Sequence, residues 1–175
     1  DETFYKTLYL QEKEHPETFH EYCLTLDRKK IYEHRLYVPE LQTEAWYPYM
    51  KETDLFHDIN GNIVLSKHYR YTPVFPHEHE FLDSLSDDGT AHTAIQGIEH
   101  TLHTGDICII PPHTTHSVGI FDDSVAFNIL VRSSTFHSTF FQSLTADSAL
   151  TQFFAHVLYR KTVGNYLIFH SGNDA

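Results

Sequence analysis

The chain has 175 residues, enough for one compact domain with a small annex, and its 41% hydrophobic content allows a sizeable core and argues against global disorder. Twenty-four acidic residues against 12 basic ones give a formal charge of −12. Such a surface repels phosphate backbones and makes this segment a poor partner for nucleic acid.

Residues 1–60 are rich in charge and aromatic groups. Asp1 to Leu10 lack the basic and apolar regions of a secretory signal, and no apolar run approaches the ~20 residues that span a bilayer. Cys23 and Cys108 are the only cysteines and predict no disulfide framework, which fits a reducing cytoplasm. The first residue is not Met and the last ones follow closely on a strand, so the expectation is a trimmed fragment. Pro16-Glu17-Thr18 opens a predicted helix on which Phe19, Tyr22, Cys23 and Leu26 recur at helical spacing. Beyond residue 34 the pattern is irregular, broken by Pro39 and Pro48, and residues 58–62 carry strong turn chemistry.

From residue 63 strands are predicted over 63–71, 74–85, 90–96, 98–102, 107–110, 117–120 and 124–131. Turns fall at residues 86–89, at Gln96-Gly97 and at residues 104–106, and Pro111-Pro112 ends one strand. Short strands at ~8–12-residue spacing predict a closed or sandwiched all-β unit. The chain then turns helical. Phe136, Phe140 and Leu144 share one helix face, and Leu150, Phe153, Phe154, Val157 and Leu158 share another behind an N-cap at Asp147. These faces serve as core or as a dimer interface. Residues 165–169 predict one further strand. The domain plan is therefore 1–60 helical or irregular, 61–132 β, and 133–175 helices with a final strand.

Fifteen histidines invite a search for metal-ligand spacing. Alternation along a strand puts His77, His79 and Asp83 on one side and Glu78 and Glu80 on the other. Two imidazoles two residues apart, with a carboxylate four further on, suit Zn, Ni, Mn or Fe. Downstream, Gly105 permits a tight turn, an apolar strand follows, Pro111 stiffens its exit, and His116 returns on a different strand as a fourth candidate ligand. The other readings are a histidine pair satisfied by backbone partners and, for Asp83, a solvated turn residue. His113 is expected on an exposed loop and Cys108 in packing. His92, His100 and His103 either line the interior or decorate the hairpin.

Together, His77, His79, Asp83 and Gly89, followed by Gly105, Pro111 and His116, resemble the two cupin motifs, with His113 and Ile120 standing where the second motif has glycine and asparagine. The resemblance implies a mainly β fold: a cupin (double-stranded β-helix or jelly-roll) barrel with flanking N- and C-terminal helices. Over residues 63–132 and the segment that follows, the runs "SKHYRYTPVFPHEHEF", "IQGIEHTLHTGDICIIPPHTTHS" and "DDSVAFNILVRSSTF" resemble the sensor domain of AraC-type transcription regulators. That family implies a small-molecule effector, a sugar or a metal-bound ligand, held by His77, His79, Asp83 and His116, dimerisation through the adjacent helices, and DNA contact only through a separate helix-turn-helix region. Asp83 stands where the family has glutamate, and the polar run at 84–88 implies an early end to its strand. The alternative function is a metal-dependent cupin enzyme, a sugar isomerase or dioxygenase, using the same ligands to activate water or oxygen.

Overall fold

The structure is a computed structural model and describes residues 2–41, 49–56, 61–80, 82–135, 152 and 166–172. The expected helix faces of residues 136–158 lie outside the described residues.

The N-terminal segment opens with α1 (Glu2–Glu14), which the sequence reading did not anticipate. Phe4, Tyr5, Leu8 and Tyr9 place one apolar stripe on it at three- to four-residue intervals. The expected helix after Pro16 is α2 (Phe19–Leu24), which buries Phe19 and Cys23. A further helix, α3 (Arg28–Glu33), is capped by Asp27, whose carboxylate accepts from the backbone of Lys29 and Lys30 at 3.0 and 3.2 Å. It ends in a Schellman motif: Leu36 N–H donates to Ile31 O and Arg35 N–H to Tyr32 O. Arg35 takes the left-handed position of that motif, with φ 51°. Leu36 and Val38 then join Tyr5, Leu8, Phe19, Cys23 and Tyr71 in one apolar cluster.

The strands begin with β1 (Tyr49–Met50), followed by α4 (Glu52–Phe56) and β2 (Ile63–Lys67). The strand expected over 74–85 is broken in two, β3 (Glu78–His79) and β4 (Leu82–Asp88). β3 pairs in parallel with β1, whereas β4 lies between two antiparallel neighbours, so the two pieces belong to different sheets. β4 does not end early at its polar run. It reaches Asp88 because Ser84 and Ser86 pair on both sides, with Ile109 and Ile107 on one neighbour and Ile129 and Phe127 on the other. The expected turn at 86–89 is a corner at Gly89, whose φ of 127° passes the chain directly into β5 (Thr90–Ile95). Gln96 and Gly97, both at positive φ (52° and 80°), make the hairpin to β6 (Ile98–His103). β7 (Ile107–Ile110), β8 (His116–Gly119), β9 (Val125–Val131), the single turn α5 (Ser133–Thr135) and β10 (Leu167–Phe169) complete the order.

Among the described residues the strands form a five-stranded sheet, β10-β7-β4-β9-β2, a three-stranded sheet, β6-β5-β8, and the β1-β3 pair. This strand-rich arrangement fits the expected cupin barrel, although the described ladders do not close into one. Ala91, Ile95, Leu102, Cys108, Ile110, Val118, Ile120 and Ala126 fill the space between the two larger sheets. The N-terminal layer is fastened to this unit at two points. Tyr71 N–H donates to the Ile120 carbonyl at 2.7 Å. Arg70 grips the Glu2 carboxylate through Nε at 3.1 Å and Nη2 at 2.8 Å, which, through that hydrogen bonding first, pulls the Glu2 carboxyl down to about 2. Among the described residues no helix is long and apolar enough to cross a membrane.

Candidate metal centre

Asp83 sits on the central strand of the five-stranded sheet, between Ile110 and Leu130, and its side chain is turned into the interior. It is 4% exposed, which removes the solvated-turn reading. His116 opens β8 opposite Ile95 and is 1% exposed, as is His79 on β3. The candidate ligand atoms of His79, Asp83 and His116 all lie within 4.8 Å of one another. Asp83 Oδ2 stands 3.9 Å from His79 Nε2 and 4.0 Å from His116 Nε2.

The tautomer of His116 follows from its partner. A carbonyl can only accept, so Nδ1–H donates to Thr114 O at 2.9 Å and the lone pair is left on Nε2, the nitrogen that faces Asp83. Burial, then the neighbouring imidazoles of His77 and His79, holds this ring neutral by moving its pKa well below the ordinary value. A neutral imidazole with an inward lone pair is the form that binds a metal. His116 Nε2 has no hydrogen bond among the described residues. Metal bonds of roughly 2.0–2.2 Å put the ligand atoms of one ion about 3–3.5 Å apart, so this group must contract by about an ångström around it. The donor set fits a divalent transition ion, which would also neutralise the buried carboxylate.

His77, expected with His79 as one of the ligands, lies outside that group. It is paired backbone to backbone with His116, with N–H···O distances of 2.8 and 3.0 Å in the two directions. Their rings consequently stand side by side, 4.2 Å between centroids, and the His77 Nδ1–H points at Phe75 O, 3.3 Å away. Glu78 and Glu80 lie on the other side, as alternation requires. Glu78 accepts from Thr115 Oγ1 at 2.6 Å, and Glu80 accepts from Glu52 N at 3.0 Å and from the Tyr49 hydroxyl at 3.3 Å. These bonds hold the loop before β8 and the β1-α4 segment against β3. His113 is exposed and stacks on Tyr49. His92 and His103 are exposed, while the half-buried His100 bonds the Tyr166 hydroxyl at 2.6 Å. Cys108 is fully buried, and burial pushes its thiol up to about 12.

Sequence reasoning missed His68. Burial, with His77 as a secondary cause, pulls its imidazole down to about 4, and its Nε2 and Asn128 Oδ1 are both sealed without a hydrogen bond among the described residues. The signal was present: Val64, Ser66 and His68 continue one alternating face of β2 past its end.

No protein-family model and no curated protein sequence matches the chain. Among solved structures it is similar to a cupin protein from Bacteroides fragilis, with 20% identity and a TM-score of 0.35 over 49% of this chain and 70% of that one. It is also similar to apo ToxT from Vibrio cholerae, with 12% identity and a TM-score of 0.43 over 66% and 44% of the two chains. A third is the Bacillus subtilis oxalate decarboxylase with Mn(II) centres, with 16% identity and a TM-score of 0.36 over 51% and 24%. At these TM-scores function is left to the site itself.

Proposed function

We propose that the chain is a cupin-type sensor domain that holds one divalent transition metal (Zn, Ni, Mn or Fe) through His79, Asp83 and His116, with His77 alongside. The observation that carries this is the convergence of two imidazoles and a carboxylate from three strands, β3, β4 and β8, on one sealed point. A metal there supplies a Lewis acid able to polarise an oxygen or nitrogen atom of a bound molecule. His116 contributes an oriented lone pair, and Glu78 and Glu80 brace the strand that carries His79.

The finer reading is the effector-sensing and dimerising part of a cytoplasmic AraC-type transcription regulator. It is supported by the sequence resemblance over residues 63–132 and by the −12 charge, which leaves DNA contact to a helix-turn-helix region elsewhere. Effector binding then acts through unequal affinity for two states of the regulator.

Elemental analysis of the purified chain tests the metal. About one ion per chain is expected, falling at least tenfold in Asp83→Ala and in His116→Ala while circular dichroism stays folded. Metal content unchanged in both variants overturns the assignment. Metal-dependent turnover of a sugar or of dioxygen by the same sample would shift the reading to the enzyme class, and a monomer in sedimentation would remove the dimerisation role.

A further inference from the structure

A cavity of about 970 Å³ lies between the N-terminal layer and the β2 edge of the five-stranded sheet, outside the metal group. Its charge runs against that of the chain. Arg35 and Lys67 line it, and the one carboxylate on its wall, Glu2, is already held by Arg70 at 2.8 Å and Lys67 at 3.4 Å. Arg35 forms no ion pair among the described residues, and it occupies the left-handed position of the α3 terminus where glycine is the usual residue. A side chain is retained at that position despite its backbone cost, and it is a cation at the mouth of a cavity.

The wall is aromatic. The Tyr37 and Phe75 rings lie 5.0 Å apart at 66°, and Phe75 in turn lies 5.2 Å from His77. His68 and Asn128 close the interior end, with Nε2 and Oδ1 sealed behind the wall. A cation and an aromatic wall occur together in one space.

We infer that this cavity is the effector site and that it takes a small aromatic carboxylate: the carboxylate at Arg35 and the ring against Tyr37 and Phe75. The inference rests on the sensor reading and does not require the metal.

Isothermal titration of the full chain with 4-hydroxybenzoate and 4-hydroxybenzyl alcohol tests it, with metal content measured on each sample. 4-Hydroxybenzoate is expected to bind at one site, and the neutral alcohol at least tenfold more weakly. Arg35→Gly, which suits the left-handed backbone, is expected to keep or raise the melting temperature yet weaken 4-hydroxybenzoate at least tenfold. No binding at millimolar ligand, or equal binding by wild type and Arg35→Gly, overturns the inference. Metal retained without binding leaves the metal reading standing alone, whereas binding without metal sinks the metal reading and keeps the cavity.

Discussion

His68 is held neutral by burial, its pKa drawn from 6.5 to about 4. A base depressed in the folded state binds fewer protons than in the unfolded state between those values, so stability is complete above pH 6.5 and is lost as pH falls toward 4. One such group contributes up to about 1.4 kcal/mol per pH unit, roughly 3 kcal/mol across the window. His77 and His116 are displaced in the same direction, also chiefly by burial, and add to the slope. Urea midpoints of the metal-free chain at pH 7, 6 and 5 are expected to fall steeply, and less steeply in His68→Gln. Identical slopes for the two proteins would contradict the burial of this ring. At the same scale, Asp83 shows why a residue's type does not settle its role. A carboxylate in a polar run suits a solvated turn equally well, and the pairing of its strand on both sides is what turns it inward.

At the level of elements, the corner after β4 carries the chain from the five-stranded sheet into the three-stranded one, and the hairpin beyond it joins β5 to β6 within the latter. Gly97 belongs to the hairpin turn at φ 80°, and a methyl group added there meets nothing within 4 Å. Gly89 makes the corner at φ 127°, and a Cβ there would come within 2.1 Å of Ser124 Oγ and 3.0 Å of Ser124 Cα. Ser124 cannot simply swing away, because its Oγ accepts from Thr90 N at 2.7 Å. Gly97→Ala is therefore expected to cost about 1 kcal/mol for the left-handed backbone alone, and Gly89→Ala about 3 kcal/mol, since strain and overlap combine. Chemical denaturation that ranks the two equally would show that the corner relaxes more freely than its packing indicates.

The whole molecule is a helical layer fastened to a β unit, with Tyr71 as the shared residue. Its ring is buried in the N-terminal cluster, 5.5 Å from Tyr9, while its N–H is bonded to the β8 end at Ile120. Tyr71→Ala is expected to cost about 3 kcal/mol and to lower the hydrogen-exchange protection of residues 5–38 more than that of β5 and β7. Equal loss everywhere would mean that the two parts unfold only as one. Local signals carried much of this architecture. Period-two alternation, Gln96-Gly97 and the histidine spacing depend on neighbours a few residues away, so the strands, the hairpin and the side-by-side placement of His77 and His79 were legible in the chain. α1 and α3 were equally local yet overlooked, because their apolar stripes are short and aromatic and sit among charges. What lay beyond local reading was long-range pairing: the break between β3 and β4, the direct backbone pairing of His116 with His77, and the burial of His68, whereas the return of His116 on another strand was already expected from the motif spacing. Those depend on which strands meet, and burial is a property of the assembled sheets rather than of any segment, so only the tertiary structure could decide that His79, Asp83 and His116 converge while His77 stands next to them.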